Sequence, residues 1–393
     1  MTVLLNAGPW LAVPPPTYGG IENVVAALVP ELRRRGVRVV LATVGASTLP
    51  VDRKVVVFDD GQFPLLQQPY NQVAGIAAAH LHAVVAELQQ RHDIDLVHDH
   101  QEAFGPTVLS ALGAAGPPVL HTLHWDPAKY PELYRQFGAG RLFVNGVSAS
   151  QLADAPLALR ARSVGHVHLA TPLAAGPLPA ASARPVGRHL VVLGRITPYK
   201  GQHVAAALAH RLRRDVVLAG PVGPYTTALE LATAGEQAAT NPDVRYWYEQ
   251  VAPLVDGARV RWVGSLAPAA RDRMVSSAAA TLFPLDWEEP GGTAVVESLA
   301  LGTPVIGYRR GCLPELVSSG RTGWLVEPGD VDALAAAVDA VSRIDRTECR
   351  RDAVERFTPA RMAEQYLALY RTVLARTART AAAVPTRALP PRW

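Results

Sequence analysis

Short valine- and leucine-rich runs alternate along this chain with longer segments of helical periodicity, and this alternation restricts its fold more than any other feature. Val3 to Leu5 is wholly apolar, and Val37 to Ala42, Leu96 to His98, Val119 to Leu123 and Leu142 to Val147 are apolar at most positions without a polar alternation. Strands buried on both faces of a parallel sheet have that pattern. Between the first two lies Ile21 to Arg35, where Val24, Val25, Leu28, Val29 and Leu32 recur at helical spacing, with Pro30 a kink point and Gly36 a stop. A strand at Val55 to Phe58, a helix from Asn71 to Gln90 and a helix after Glu102 extend the series. Parallel strands need crossover helices, so the reading is an α/β, doubly wound, Rossmann-like domain.

The alternation restarts at Leu190 to Leu193 and continues through Val216 to Ala219, Val260 to Val263, Thr281 to Phe283, Val305 to Ile306 and Trp324 to Val326. A chain of 393 residues exceeds one ordinary core. Two Rossmann-like domains are therefore expected, at 1–170 and 189–357, joined by an Ala-, Pro- and Gly-rich linker at 171–188. Thr358 and Pro359 open a final helix as N-cap and first helical residue, over 358–378, ahead of a mobile tail at 379–393. Ligands of doubly wound sheets sit beyond the C-terminal ends of the strands, so functional residues should follow strands and border a cleft between the domains.

Charge excludes one partner class. Lys and Arg number 38 against 34 Asp and Glu, a net +4, with no basic stripe of the kind nucleic acid requires. Arg33, Arg34 and Arg35, and the cluster from Arg211 to Arg214, fall late in helices, where cations complement the dipole. The first cluster ends an amphipathic helix and also suits weak contact with anionic lipid head groups. Cys312 and Cys349 have neither disulfide-framework nor zinc-site spacing. The N-terminal segment lacks a basic region and is broken by Pro9, and no 18-residue apolar run follows, so a cytoplasmic location is expected.

Two motifs carry chemistry. Strand Leu190 to Leu193 runs into Gly194, Arg195 and then Lys200 and Gly201. A guanidinium fork and a mobile ammonium suit a diphosphate, although two solvated surface charges would look the same in isolation. After Thr281 to Phe283 comes Glu289-Pro290-Gly291-Gly292-Thr293, then Glu297. Gly291 and Gly292 allow close backbone approach, and the helix from Thr293 aims free amides and its dipole at a phosphate. Glu289 and Glu297 suit hydroxyl-rich ligands, while Glu297 alone also reads as an acid complementing the helix start.

In order along the chain, these motifs resemble family 4 of the retaining GT-B glycosyltransferases. Gly19-Gly20-Ile21-Glu22, His121 to His124, Val147 to Ser150, Gly311 to Glu315 and Gly323 to Val326 match as well. The resemblance implies a final helix returning to the first domain, Arg195 and Lys200 on the donor diphosphate, Gly20 lending it an amide, Glu297 on the ribose, and Glu289 near the anomeric centre. It puts His124 in the sugar pocket, the nucleobase beside Ser265 and Leu266, and makes Glu315 a further cleft candidate. It implies no metal and no cofactor beyond a nucleotide sugar, with UDP the commonest. Front-face attack would leave the departing diphosphate as base.

Two departures loosen the match. Gly291 replaces the family's aromatic, and His168-Leu169-Ala170 replaces its hinge turn, so no role passes to His168. Spacing alone would allow His98 and His100 to share a face as metal ligands. His100 is also an acceptor-side candidate, and His121 reads as a satisfied core histidine. Trp10 and Tyr18 flank the Pro-rich loop, where an acceptor ring could stack on them or where Trp10 could wedge the loop. The expected reaction is transfer of a hexose or amino-hexose to a hydroxyl of a small molecule. The competing readings are a lipid-linked or polysaccharide acceptor at a membrane face, a sugar-nucleotide 2-epimerase, a phosphorylase and a sugar-nucleotide sensor.

Overall fold

The computed structural model describes residues 1–16, 19–137, 140–177 and 187–383. The chain forms two compact units: 1–147 with 152–167 and the residues from Met362 onward, and 148–151 with 168–361.

In the first unit β1 (Thr2–Asn6), β2 (Arg38–Ala42), β3 (Arg53–Val55), β4 (Leu96–Asp99), β5 (Val119–Thr122), β6 (Leu142–Gly146) and β7 (Ser163–His166) form one sheet in the order β3-β2-β1-β4-β5-β6-β7. All its pairings are parallel, with Leu4 opposite Val40 on one side and Val97 on the other. Val3, Leu4 and Leu5 are fully buried, as a central strand covered on both faces requires. The order reverses between β1 and β4, where the chain first winds one way and then the other.

Two strands depart from expectation. The run at Val55 to Phe58 pairs only through Val55, and Val56 and Val57 are each 41% exposed. The edge strand β7 was not anticipated, because Ser163 to His166 has no buried apolar run.

The second unit repeats the plan with β8 (Leu190–Leu193), β9 (Val216–Ala219), β10 (Val260–Trp262), β11 (Ala280–Phe283), β12 (Val305–Tyr308) and β13 (Gly323–Val326), in the order β10-β9-β8-β11-β12-β13. Every pairing is again parallel, and the reversal lies between β8 and β11. Residues 178–186 of the expected linker lie outside the described residues. The turn Pro172–Ala174 before them packs into the second unit, with Ala174 buried and Thr171 N–H donating to Phe357 O at 3.0 Å.

The helix Pro359–Ala383 packs on the first unit from Met362. Tyr366 and Tyr370 are fully buried, and Tyr370 Oη lies 2.7 Å from His98 Nδ1. Among the described residues no helix is long and apolar enough to cross a membrane.

Candidate active site

The loops leaving β8 and β11 meet at the reversal point of the second sheet. Gly201, at φ 66°, must be a glycine, since a Cβ there would lie 2.0 Å from Pro284 O in the β11 loop. Gln202 then clamps its own loop, donating to Arg195 O at 2.7 Å and accepting from Thr197 N–H at 3.3 Å. Asp286 N–H donates to Tyr199 O at 2.9 Å, tying one loop to the other. Through these ties Lys200 Nζ forms a short ion pair with Glu289 Oε2, which also accepts from Trp287 Nε1 at 3.1 Å. Lys200 lies 5.3 Å from the centre of the Trp287 ring. Arg195 is exposed on the same loop, its nearest acid being Asp243 at 3.9 Å.

Glu289 is held through its backbone as well. Cys312 N–H donates to Glu289 O at 2.8 Å, and Gly311 packs so closely that a Cβ would lie 2.3 Å from Glu289 N. Gly291 and Gly292 are buried, and Gly292, at φ 60°, is the N-cap of the helix Thr293–Ala300. Free N–H groups of that first turn sit beside Glu289 in sequence, an arrangement that accepts anions. The partly buried Thr293 is its first residue.

The two carboxylates have separate partners. Glu297 pairs with Arg271 at 3.1 Å, and Arg271 also donates to Asp272. Burial pushes the Glu297 carboxyl up, Arg271 opposes that shift, and Asp272 adds to it. Arg271 belongs to the helix Pro268–Ser277, just after Ser265 and Leu266. That stretch is pinned by Ser265 N–H to Thr226 O at 2.7 Å. Sequence reasoning missed Arg271, whose partner Glu297 is 26 residues away, and also the local clamps of Gln202 and Trp287, which depend on how each loop folds back on itself.

Glu315, the further cleft candidate, has three donors around its carboxylate. Its carboxylate accepts from Ala149 N–H at 2.8 Å, Ser150 N–H at 2.7 Å and His168 Nε2 at 2.9 Å. Burial works against ionisation, and these hydrogen bonds outweigh it, holding the carboxyl at about 2. It caps the start of the helix Ala149–Asp154.

In the first unit, Gly20 is the exposed first residue of the helix Gly20–Arg34. Trp10 is partly buried on the loop after β1, and Tyr18 lies outside the described residues. His100 Nδ1 and His124 Nε2 are 2.8 Å apart. His98 is committed to Tyr370 and to Thr122, at 2.8 Å from the latter, which removes it as a ligand beside His100. His121 is indeed a satisfied core residue, 2.6 Å from Asp99, whose other oxygen accepts from Asn6 at 2.7 Å. Burial depresses His98, His100 and His124, the last to about 3, so all three are neutral imidazoles near pH 7. The arginines at the end of the first helix have acidic partners: Arg33 with Asp52 at 3.4 Å, and Arg34 and Arg35 with Glu31.

Two all-parallel doubly wound sheets, one carrying a cationic, glycine-lined loop pair at its reversal point, fit the GT-B class of glycosyltransferases. Residues 183–356 match the family described as Glycosyl transferases group 1, and residues 18–159 match Glycosyltransferase Family 4. The chain belongs to glycosyltransferase family 4.

It is 28% identical to an alpha-maltose-1-phosphate synthase of Mycolicibacterium smegmatis, over 92% of this chain and 97% of the relative. It is 29% identical to a 2-deoxystreptamine N-acetyl-D-glucosaminyltransferase of Streptomyces fradiae, over 84% of each. Among solved structures it is similar to AviGT4, a glycosyltransferase involved in avilamycin A biosynthesis, at 27% identity and a TM-score of 0.65 over 95% of this chain and 98% of that one.

Proposed function

We propose that the chain is a retaining, metal-independent hexosyl- or amino-hexosyltransferase acting in the cytoplasm, taking its sugar from a UDP-sugar and passing it to a hydroxyl of a small-molecule acceptor. The observation that carries this reading is the Lys200–Glu289 ion pair at the reversal point of the second sheet, with Arg195 exposed on the same loop. A donor diphosphate would draw Lys200 off Glu289 and add Arg195 and the Thr293 helix terminus to its own oxygens. Glu289, released, would accept hydrogen bonds from sugar hydroxyls near the anomeric carbon.

Three cationic or dipolar groups around one diphosphate supply the charge stabilisation that a divalent ion supplies elsewhere. Glu297 would take the ribose hydroxyls, oriented by Arg271, with the base beside Ser265 and Leu266. In the first unit, Gly20 and the neutral His124 stay as the candidates for donor contact that the sequence offered. In this reading the acceptor hydroxyl attacks on the face the diphosphate leaves, and a diphosphate oxygen takes its proton.

A small-molecule acceptor is supported by the 2-deoxystreptamine transferase among the relatives and by the acid-paired arginine cluster. Incubation with UDP-, GDP-, TDP- and ADP-sugars and an acceptor panel, followed by NMR of the product, tests the reading. Transfer from a UDP-sugar with the donor's anomeric configuration kept is the expected result. An inverted product, or an epimerised donor without transfer, overturns it.

A further inference from the structure

The loop after β4 carries three consecutive residues that the donor reading does not use fully. His100 Nε2, Gln101 Oε1 and Glu102 Oε1 are each buried, and none has a hydrogen-bond partner among the described residues. A buried polar atom left without a partner is destabilising, so three in succession call for a ligand or ordered water. His100 and Gln101 are 1% and 4% exposed. The next residue, Ala103, sits at φ 58°, a conformation that a side-chain-bearing residue keeps only under constraint.

The place fits a ligand, since the loop lies beyond the C-terminal end of β4, at the reversal point of the first sheet. A Cβ on Gly8, in the loop after β1, would lie 3.6 Å from Trp10 Cδ1 and 3.9 Å from Gln101 Cγ, so both side chains border that glycine. Glu102 Oε2 faces Lys129 Nζ at 3.6 Å, and that ammonium stands 4.2 Å from the Trp125 ring centre and 5.1 Å from that of Tyr130. His100 is bonded to His124, the sugar-pocket candidate.

We infer that this loop is the acceptor subsite and that it takes an unphosphorylated ring bearing hydroxyl or ammonium donors, a polyol or aminocyclitol. The inference rests on the glycosyltransferase reading and names its second substrate class. Gln101 Oε1 and Glu102 Oε1 are both acceptors, so only O–H or N–H groups satisfy them. A phosphate would bring oxygen against oxygen and negative charge against Glu102, while the adjacent cation, Lys129, is already matched to that carboxylate. Trp10 supplies a face for the apolar side of a ring.

Calorimetric titration of the whole chain with 2-deoxystreptamine, myo-inositol and glucose 1-phosphate, each with and without saturating UDP, tests this. The first two should bind at least about tenfold more tightly than glucose 1-phosphate. Glu102→Gln should weaken 2-deoxystreptamine about tenfold, whereas Lys129→Met, which leaves Glu102 uncompensated, should tighten it. A purely structural role for this pair would move both variants in the same direction. Preference for glucose 1-phosphate, same-direction changes, or binding of no ring overturns the inference. Rings that bind while UDP does not would overturn the donor reading instead and leave the acceptor result standing.

Discussion

Replacing Lys200 by Met should separate two roles of one ammonium group. Lys200 and Glu289 side chains keep 23% and 14% of their exposure, so their pair is partly shielded. At an effective dielectric of about 20, contact between unit charges gives about 4 kcal/mol of gross attraction, most of it offset by desolvation. Lys200→Met leaves Glu289 with Trp287 Nε1 and no cation, for an expected stability loss of about 1–3 kcal/mol. In a unit of about 200 residues, the size of the second unit, that is roughly 2–4 °C of melting temperature per kcal/mol.

Adding Glu289→Gln removes the stranded charge and should recover about half of that loss. Turnover should behave differently. Losing one preorganised donor to the leaving diphosphate lowers kcat by about 100- to 1000-fold, and the second substitution removes a sugar contact as well. Thermal melts and steady-state rates on the four proteins of this cycle measure both quantities. Recovery of turnover together with stability in the double variant would refute the reasoning, because it would make the pair a structural clamp.

Three further outcomes follow from the same geometry. Glu22 is buried at the start of the first helix, and burial raises its carboxyl from 4.5 to about 7. Its contribution is therefore full below pH 4.5 and is lost as pH rises through 7, a change of about 3 kcal/mol at 1.36 kcal/mol per pH unit. Melts from pH 4 to 9 should show Glu22→Gln flattening that decline, and an unchanged slope would contradict it. Arg271→Leu should strand the Glu297 carboxylate, costing about 2 kcal/mol of stability and weakening UDP as measured by calorimetry, while leaving uridine-free pyrophosphate binding intact. Gly201→Ala puts a Cβ 2.0 Å from Pro284 O and should cost more than about 2 kcal/mol in chemical denaturation, with the donor-site loops loosened.

The parts legible in sequence were those with a one-dimensional signature. Valine runs such as Val3 to Leu5 and Val216 to Ala219 are strands because both faces of a parallel sheet are covered, which erases polar alternation. The Gly291-Gly292-Thr293 stretch announced a helix terminus, and the helix begins at Thr293. Edge strands lack that signature: β7, with Ser163 and His166 at its ends, has no apolar run, and β3 ends at Val55, leaving Val56 and Val57 unpaired in the sheet.

Pairings between distant residues were not legible. Arg271 with Glu297, Glu315 with Ala149 and Ser150, and the stranded atoms of Gln101 and Glu102 depend on which loops the sheet order brings together. The reversal points β1/β4 and β8/β11 are topological facts, and they account for why residues far apart in sequence collect at two places.

Donor binding at the second reversal point is the claim on which the rest depends, and a melting curve with UDP-sugar tests it directly. At about 100 times its dissociation constant the ligand should stabilise the wild-type chain by roughly 2.7 kcal/mol. That gain should disappear in the Arg195→Ala, Lys200→Met double variant. A full gain in the double variant would place the donor elsewhere and contradict the account.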